Sequence, residues 1–179
     1  MQLKDQAAIV TGGASGLGAA TARKLARRNA EALAGVDHVI VNAAGCGAHM
    51  QAYGELAEGT ELPVVDVMAF LADGGLVDLS MKAPEESRIA YHDACHALRA
   101  QGIRAQPRAV LDAIPGVEVV DIANGDRCCG AAGLYNITEP EMAGALMAQK
   151  ADAIRATGAT VIASANPGCS MQIVAGLRA

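Results

Sequence analysis

Short apolar runs, bounded by glycine, proline and polar residues, alternate with longer segments of helical character along this chain. Ala7–Thr11 predicts a buried strand, Thr11–Gly18 a glycine-rich turn, and Ala19–Leu33 a helix rich in Ala, Leu and Arg. His38–Asn42 predicts a second strand ending in the turn Ala43-Ala44-Gly45-Cys46. Ala48–Leu56 and Val64–Leu71 predict helices, separated by the breaker Gly59-Thr60-Glu61-Leu62-Pro63. Asp73–Ser87 is polar, contains Gly and Pro, and carries Lys82, Glu85 and Glu86, so it reads as a linker. Beyond it the pattern is regular. Arg88–His92, Val117–Ile122 and Thr160–Ala165 predict strands, and Arg108–Ile114 and Pro140–Ala156 predict helices. The latter helix is opened by Thr138-Glu139-Pro140, with proline in its first turn. A short helix is expected to close the chain. This alternation predicts an α/β fold, a Rossmann-like three-layer arrangement with a mostly parallel sheet.

Composition narrows the picture. The chain has 179 residues, enough for one α/β domain and too few for two full ones. Apolar residues make up 52%, yet there is one Phe, three Tyr and no Trp, so the core must be built from Ala, Val, Ile and Leu. Small side chains suit close helix-on-sheet packing. A net charge of −5 without a basic stripe argues against nucleic-acid binding. Met1–Gln6 lacks the basic start and long apolar core of a signal peptide, and no apolar run is long enough to span a membrane. A cytoplasmic, reducing compartment is the expectation. There, clustered cysteines read as metal-binding or catalytic rather than as disulfides, and the odd count of five agrees.

Four of the cysteines form the pattern C-x32-C-C-x39-C: Cys95, Cys128, Cys129 and Cys169. Each falls in a loop after the carboxyl end of a predicted strand, so a parallel sheet would bring all three loops to one edge. Thiolates are the usual ligands of iron–sulfur iron. Gly130 and Gly133 would let the backbone turn tightly around an inorganic core. Two rival readings stand beside this one. Any single cysteine serves well as a small buried hydrophobe, and four thiolates also suit zinc. Zinc sites usually carry short C-x-x-C knuckles, which are absent here. His92 and His96 flank Cys95 and could ligate metal, but His92 reads more simply as a hydrogen-bonding residue at a strand end, and His96 as a loop residue. Arg127 could balance a cluster's charge, though exposure is the simpler reading.

Tyr91-His92-Asp93-Ala94-Cys95-His96, Asp126-Arg127-Cys128-Cys129-Gly130-Ala131-Ala132-Gly133 and Ala165-Asn166-Pro167-Gly168-Cys169 resemble the second CCG-type cysteine-rich unit of the glycolate oxidase iron–sulfur subunit. The same unit type occurs in heterodisulfide reductases. Val41-Asn42-Ala43-Ala44-Gly45-Cys46-Gly47 resembles the close of the family's first such unit. It also forms a weak repeat with the segment ending at Cys169. The resemblance divides the chain into residues 26–72, the tail of a first unit; 73–87, a linker; and 88–179, a second unit. It implies an electron-transfer component without a complete active site of its own, holding an iron–sulfur cluster of the 4Fe–4S type through Cys95, Cys128, Cys129 and Cys169. Flavin-containing oxidase subunits are the implied partners. The family's ferredoxin-like cysteine runs are not found in this sequence. Only the tail of the family's first CCG-type unit is matched, which leaves Cys46 without its own partners, and Asn166 stands where heterodisulfide reductase relatives have a cysteine, which leaves nuclearity open. Loss of most of the first unit would expose apolar surface, so a homo-oligomer is expected.

Residues 1–25 resemble the first βα unit of short-chain dehydrogenases. Ile9-Val10-Thr11-Gly12-Gly13-Ala14-Ser15-Gly16-Leu17-Gly18 fits their T-G-x-x-x-G-x-G turn, and in that family Gly12, Gly16 and Gly18 would face a dinucleotide at the helix N-terminus. None of Tyr53, Tyr91 and Tyr135 is followed by a lysine four residues on, so dehydrogenase chemistry and NAD(P) binding are not expected. The readings carried forward are an iron–sulfur electron carrier, an NAD(P)-binding α/β module without a complete catalytic site, and an inert chimeric fragment.

Overall fold

The computed structural model describes residues 16–74, 82–83 and 86–179. The predicted strand Ala7–Thr11, with Gly12 of the glycine-rich turn and most of the predicted linker, lies outside the described residues. The elements are α1 (Gly16–Ala32), β1 (Val39–Val41), α2 (Ala44–Gln51), α3 (Tyr53–Leu56), β2 (Val64–Asp66) and α4 (Val67–Asp73). After the linker come β3 (Ser87–His92), a π-helical turn (His96–Ala100), α5 (Ala105–Asp112), β4 (Val117–Asp121), α6 (Tyr135–Thr138), α7 (Pro140–Arg155), β5 (Val161–Ser164) and α8 (Pro167–Arg178). They form two compact units, one of residues up to Val39 plus His49–Val64, the other of Ile40–Ala48 plus residues from Val65 onward.

In the smaller unit α1 buries Ala19, Ala26 and Ala30, a stripe at helical spacing that lets the helix pack closely on α3. Tyr53 is buried there; its hydroxyl accepts from Asn29 Nδ2 at 2.9 Å and its carbonyl accepts from Thr60 Oγ1 at 2.7 Å.

The larger unit is built on a three-stranded parallel sheet in the order β4-β3-β5, and β1 pairs with β2 in a separate two-stranded sheet. Ile89 pairs with Val119 on one side and Val161 on the other. Ile89, Ala90, Tyr91 and His92 are all buried. Consecutive strand residues point to opposite faces, so both faces of β3 are covered, as the α/β expectation required. The core is small-residue and aliphatic: Ala44, Ala90, Ala94, Ala97, Ile103, Ile122, Ile154 and Ile173, with Cys129 and Cys169 among them.

Three local expectations are corrected. Val64–Leu71 is not one helix. The β-branched Val64 and Val65 extend into β2, and Asp66 then caps α4, its carboxylate accepting from Met68 N at 2.8 Å. The expected turn Ala43–Cys46 is already helical from Ala44, whose N–H donates to the Ala165 carbonyl at 2.8 Å. Cys169 does not lie in a loop but in the first turn of α8, a helix of 12 residues. The weak repeat is real in three dimensions. Each copy is a strand running into a helix whose early residues include the cysteine.

Candidate metal centre

The order β4-β3-β5 places the site. The chain leaves β3 toward β4 on one side and reaches β5 on the other, so loops after neighbouring carboxyl ends diverge and open a crevice there. His92 ends β3, the Cys128–Cys129 loop follows β4, and α8 follows β5. A cavity of about 70 Å³ at this edge is lined by Cys95, Cys128, Cys129 and Cys169, together with His92 and His96. All four cysteines expected to act together meet here. Cys129 and Cys169 are buried, Cys95 and Cys128 half-buried, and none is disulfide-bonded. Cys46 is exposed and does not line the cavity.

Local structure fixes each donor. Cys95 leads into the π-helical turn His96–Ala100, a rare local geometry often found at functional sites. Upstream of it, Asp93, 4% exposed, is clamped by Arg108, whose Nη1 and Nη2 donate to its carboxylate at 2.8 and 2.9 Å. Arg108 also stacks on Tyr91, its guanidinium carbon 5.4 Å from the ring centroid. Gly130 adopts φ +91°, and a Cβ there would strike the Ala143 carbonyl of α7, so glycine is required for the cysteine loop to lie against this helix. The Gly130 N–H donates to Cys128 Sγ at 3.3 Å. Asn166 caps α8 through Oδ1, which accepts from Gly168 N at 3.0 Å.

The electrostatics favour one thiolate before any metal enters. The neighbouring Cys169 thiol, then the His92 ring and the Ala131 N–H, hold Cys129 below the usual thiol range against the effect of burial. Cys169 is pushed up by its interaction with Cys129, by burial, and by the charges of Cys129, Cys95 and Cys128. Lys150, 3% exposed on α7, donates through Nζ to the carbonyls of Asn124 and Gly125 at 3.3 and 2.9 Å. Burial lowers its pKa, while Cys129, Asp126, Asp93 and Cys128 oppose that shift. A buried ammonium thus stands beneath the cysteine loop. Arg127 is exposed, as expected, and lines the cavity.

Sequence reasoning misses or misjudges two residues. Lys150 carries no signal beyond its place in an apolar helix. His92 reads from sequence as a hydrogen-bonding strand end, whereas it is 1% exposed and neither ring nitrogen has a hydrogen-bond partner among the described residues. One ring nitrogen and the sulfurs of Cys129 and Cys169 lie within 4.8 Å of one another. Four soft sulfur donors and an unpartnered imidazole fit an iron–sulfur group. Of the three glycines of the dehydrogenase-like turn, Gly16 opens α1 with φ +55° and Gly18 is half-buried within it.

Residues 89–174 match the family model CCG, a cysteine-rich domain. The chain is 40% identical over 150 residues to a fumarate reductase (CoM/CoB) subunit of Methanothermobacter marburgensis, covering 83% of this chain and 30% of the relative. It is 34% identical over 171 residues to the probable glycolate oxidase iron-sulfur subunit of Bacillus subtilis, covering 88% and 38%. It is 36% identical over 160 residues to a dihydromethanophenazine:CoB–CoM heterodisulfide reductase subunit of Methanosarcina barkeri, covering 85% and 39%. The chain therefore spans well under half the length of these three relatives. The matches give no support to the short-chain dehydrogenase resemblance of residues 1–25. Residues 89–174, with the four converging cysteines inside them, are similar to the CCG cysteine-rich domain.

Proposed function

We propose that the chain is an iron–sulfur electron-transfer component of a multi-subunit oxidoreductase related to glycolate oxidase, with Cys95, Cys128, Cys129 and Cys169 holding the cluster. The observation that carries this reading is the meeting of the four cysteines in one cavity at the carboxyl edge of the sheet. The cluster, of the 4Fe–4S type, supplies reversible one-electron uptake. The protein's own part is to bind and shield it. Buried Cys129 and Cys169 anchor its inner side, and half-buried Cys95 and Cys128 its outer side. Lys150 and Arg127 offset negative charge, as does the N-terminal end of α8, where Cys169 sits.

Residues 88–179 act as the second CCG-type unit, 26–72 as the tail of a first, and 73–87 as their linker. Flavin-containing subunits are the proposed electron donors in a cytoplasmic complex. No helix among the described residues is long and apolar enough to cross a membrane. Exposed Leu134, Ile137, Met142 and Met171 supply apolar surface for such a partner or for a second copy of the chain.

Anaerobic reconstitution with iron and sulfide tests the reading through iron and sulfide content, visible absorption and EPR. The expected result is about four iron and about four sulfide per chain, as a 4Fe–4S cluster requires, with a signal that appears or vanishes on one-electron reduction. Protein that stays colourless and iron-free under these conditions refutes it.

A further inference from the structure

We propose that His92 is itself a ligand of the metal group, so that the centre is a mixed nitrogen–sulfur site rather than an all-cysteine one. This rests on the iron–sulfur reading above and goes beyond it by adding a donor of a different kind.

Burial gives the first argument. His92 is 1% exposed, and its Nδ1 and Nε2 both lack a hydrogen-bond partner among the described residues. A neutral imidazole has one donor and one acceptor nitrogen, and burying either without a partner is unfavourable. An apolar ring of similar size would fill the space without that cost. A histidine at this position therefore has an unmet interaction, and a metal supplies one for a ring nitrogen.

Placement gives the second. The His92 nitrogen and the Cys129 and Cys169 sulfurs lie within 4.8 Å of one another with all three residues buried, so the ring stands beside two of the proposed thiolate ligands in the wall of the same cavity. His92 is also rigidly held. It is the last residue of the central strand, in register with Ser164 of β5, and Asp93 beside it is clamped by Arg108. Donors on a paired strand hold their geometry better than donors on loops.

His96 is the competing imidazole, since it lines the same cavity with Nδ1 3.7 Å from Cys95 Sγ. It is exposed, so water satisfies it, and the desolvation argument does not apply to it.

The test begins with the unmutated chain, reconstituted anaerobically with iron and sulfide after labelling its histidines with 15N. Hyperfine spectroscopy of the paramagnetic state should show a directly bonded nitrogen whose coupling changes with the label. Iron K-edge scattering should show a light-atom neighbour besides sulfur. The exposed change His96→Gln should leave both signals intact. His92→Ala should remove them, and should weaken Co(II) binding to the metal-free chain at least about tenfold, the scale seen for supporting residues of metal sites. A loaded cluster with sulfur-only coordination overturns the role of His92 and leaves the iron–sulfur reading standing. Loss of the nitrogen signal in His96→Gln moves the ligand to His96 and also overturns the proposal. A chain that takes up neither iron nor Co(II) overturns both readings.

Discussion

Replacing Arg108 by leucine would strand a carboxylate beside the candidate metal centre. Asp93 is 4% exposed, and its two oxygens accept from Arg108 Nη1 and Nη2 at 2.8 and 2.9 Å. At an effective dielectric of about 20, unit charges about 4 Å apart attract by roughly 4 kcal/mol. Removing one partner of a buried pair typically costs about 3–5 kcal/mol, because the other charge stays desolvated. Arg108 is itself 20% exposed, so water can partly reach the gap and the lower end, about 3 kcal/mol, is expected. The same guanidinium also meets Asp121, at 2.7 Å from Nη2, but that carboxylate is 76% exposed. Asp121→Asn should therefore cost no more than about 1 kcal/mol. The assay is urea unfolding of the metal-free chain under anaerobic reduction. With a slope of about 2 kcal/mol per molar, Arg108→Leu should move the midpoint down by about 1.5 M. The double variant Asp93→Asn with Arg108→Leu should recover part of this loss, since no charge is then left buried. A midpoint shift below about 0.5 M, or an Asp121→Asn effect as large as that of Arg108→Leu, would refute the reasoning.

Three further outcomes are expected. Gly130→Ala must both hold alanine at φ +91° and displace the Ala143 carbonyl, so it should destabilise the chain by about 2–4 kcal/mol in the same unfolding assay and reduce iron loading. Tyr91 is 2% exposed with a hydroxyl that has no partner among the described residues, and burial, then Asp66 and Asp93, raise its pKa to about 12 although Arg108 pulls it down. The unfolded chain thus loses the tyrosine proton from about pH 10 while the folded chain keeps it to about 12, so stability from this group falls as pH rises through that window, by about 3 kcal/mol. Tyr91→Phe should abolish that part of the alkaline loss, measured by unfolding across that alkaline range, and should not weaken the chain at neutral pH. Cys128→Ser and Cys129→Ser should each cut iron content after reconstitution to less than about half, because each removes one of the four thiolates proposed to hold the cluster. Cys46→Ser should leave it unchanged, since Cys46 is exposed and outside the cavity lining.

Much of the fold is legible in the sequence because its signals are local. The apolar runs at Arg88–His92, Val117–Ile122 and Thr160–Ala165 correspond to β3, β4 and β5 within a residue or two, and Pro140 marks the start of α7. The convergence of the four cysteines also follows from sequence, because a parallel sheet puts the carboxyl ends of its strands on one edge whatever the strand order. Boundaries fail where a single side chain or long-range bond decides them. Asp66 ends a strand by capping a helix, and the backbone of Ala44 is tied to Ala165 far along the chain.

The sequence by itself determined the α/β class, the small-residue core and the convergence of Cys95, Cys128, Cys129 and Cys169 apart from Cys46, since alternation, composition and spacing are properties of the chain alone. Only the tertiary structure decided that His92 is sealed without a partner among the described residues and that Lys150 lies beneath the cysteine loop. Burial and the absence of a partner are sums over neighbours distant in sequence. A histidine at a strand end reads the same whether water or two thiols surround it, and only packing tells them apart.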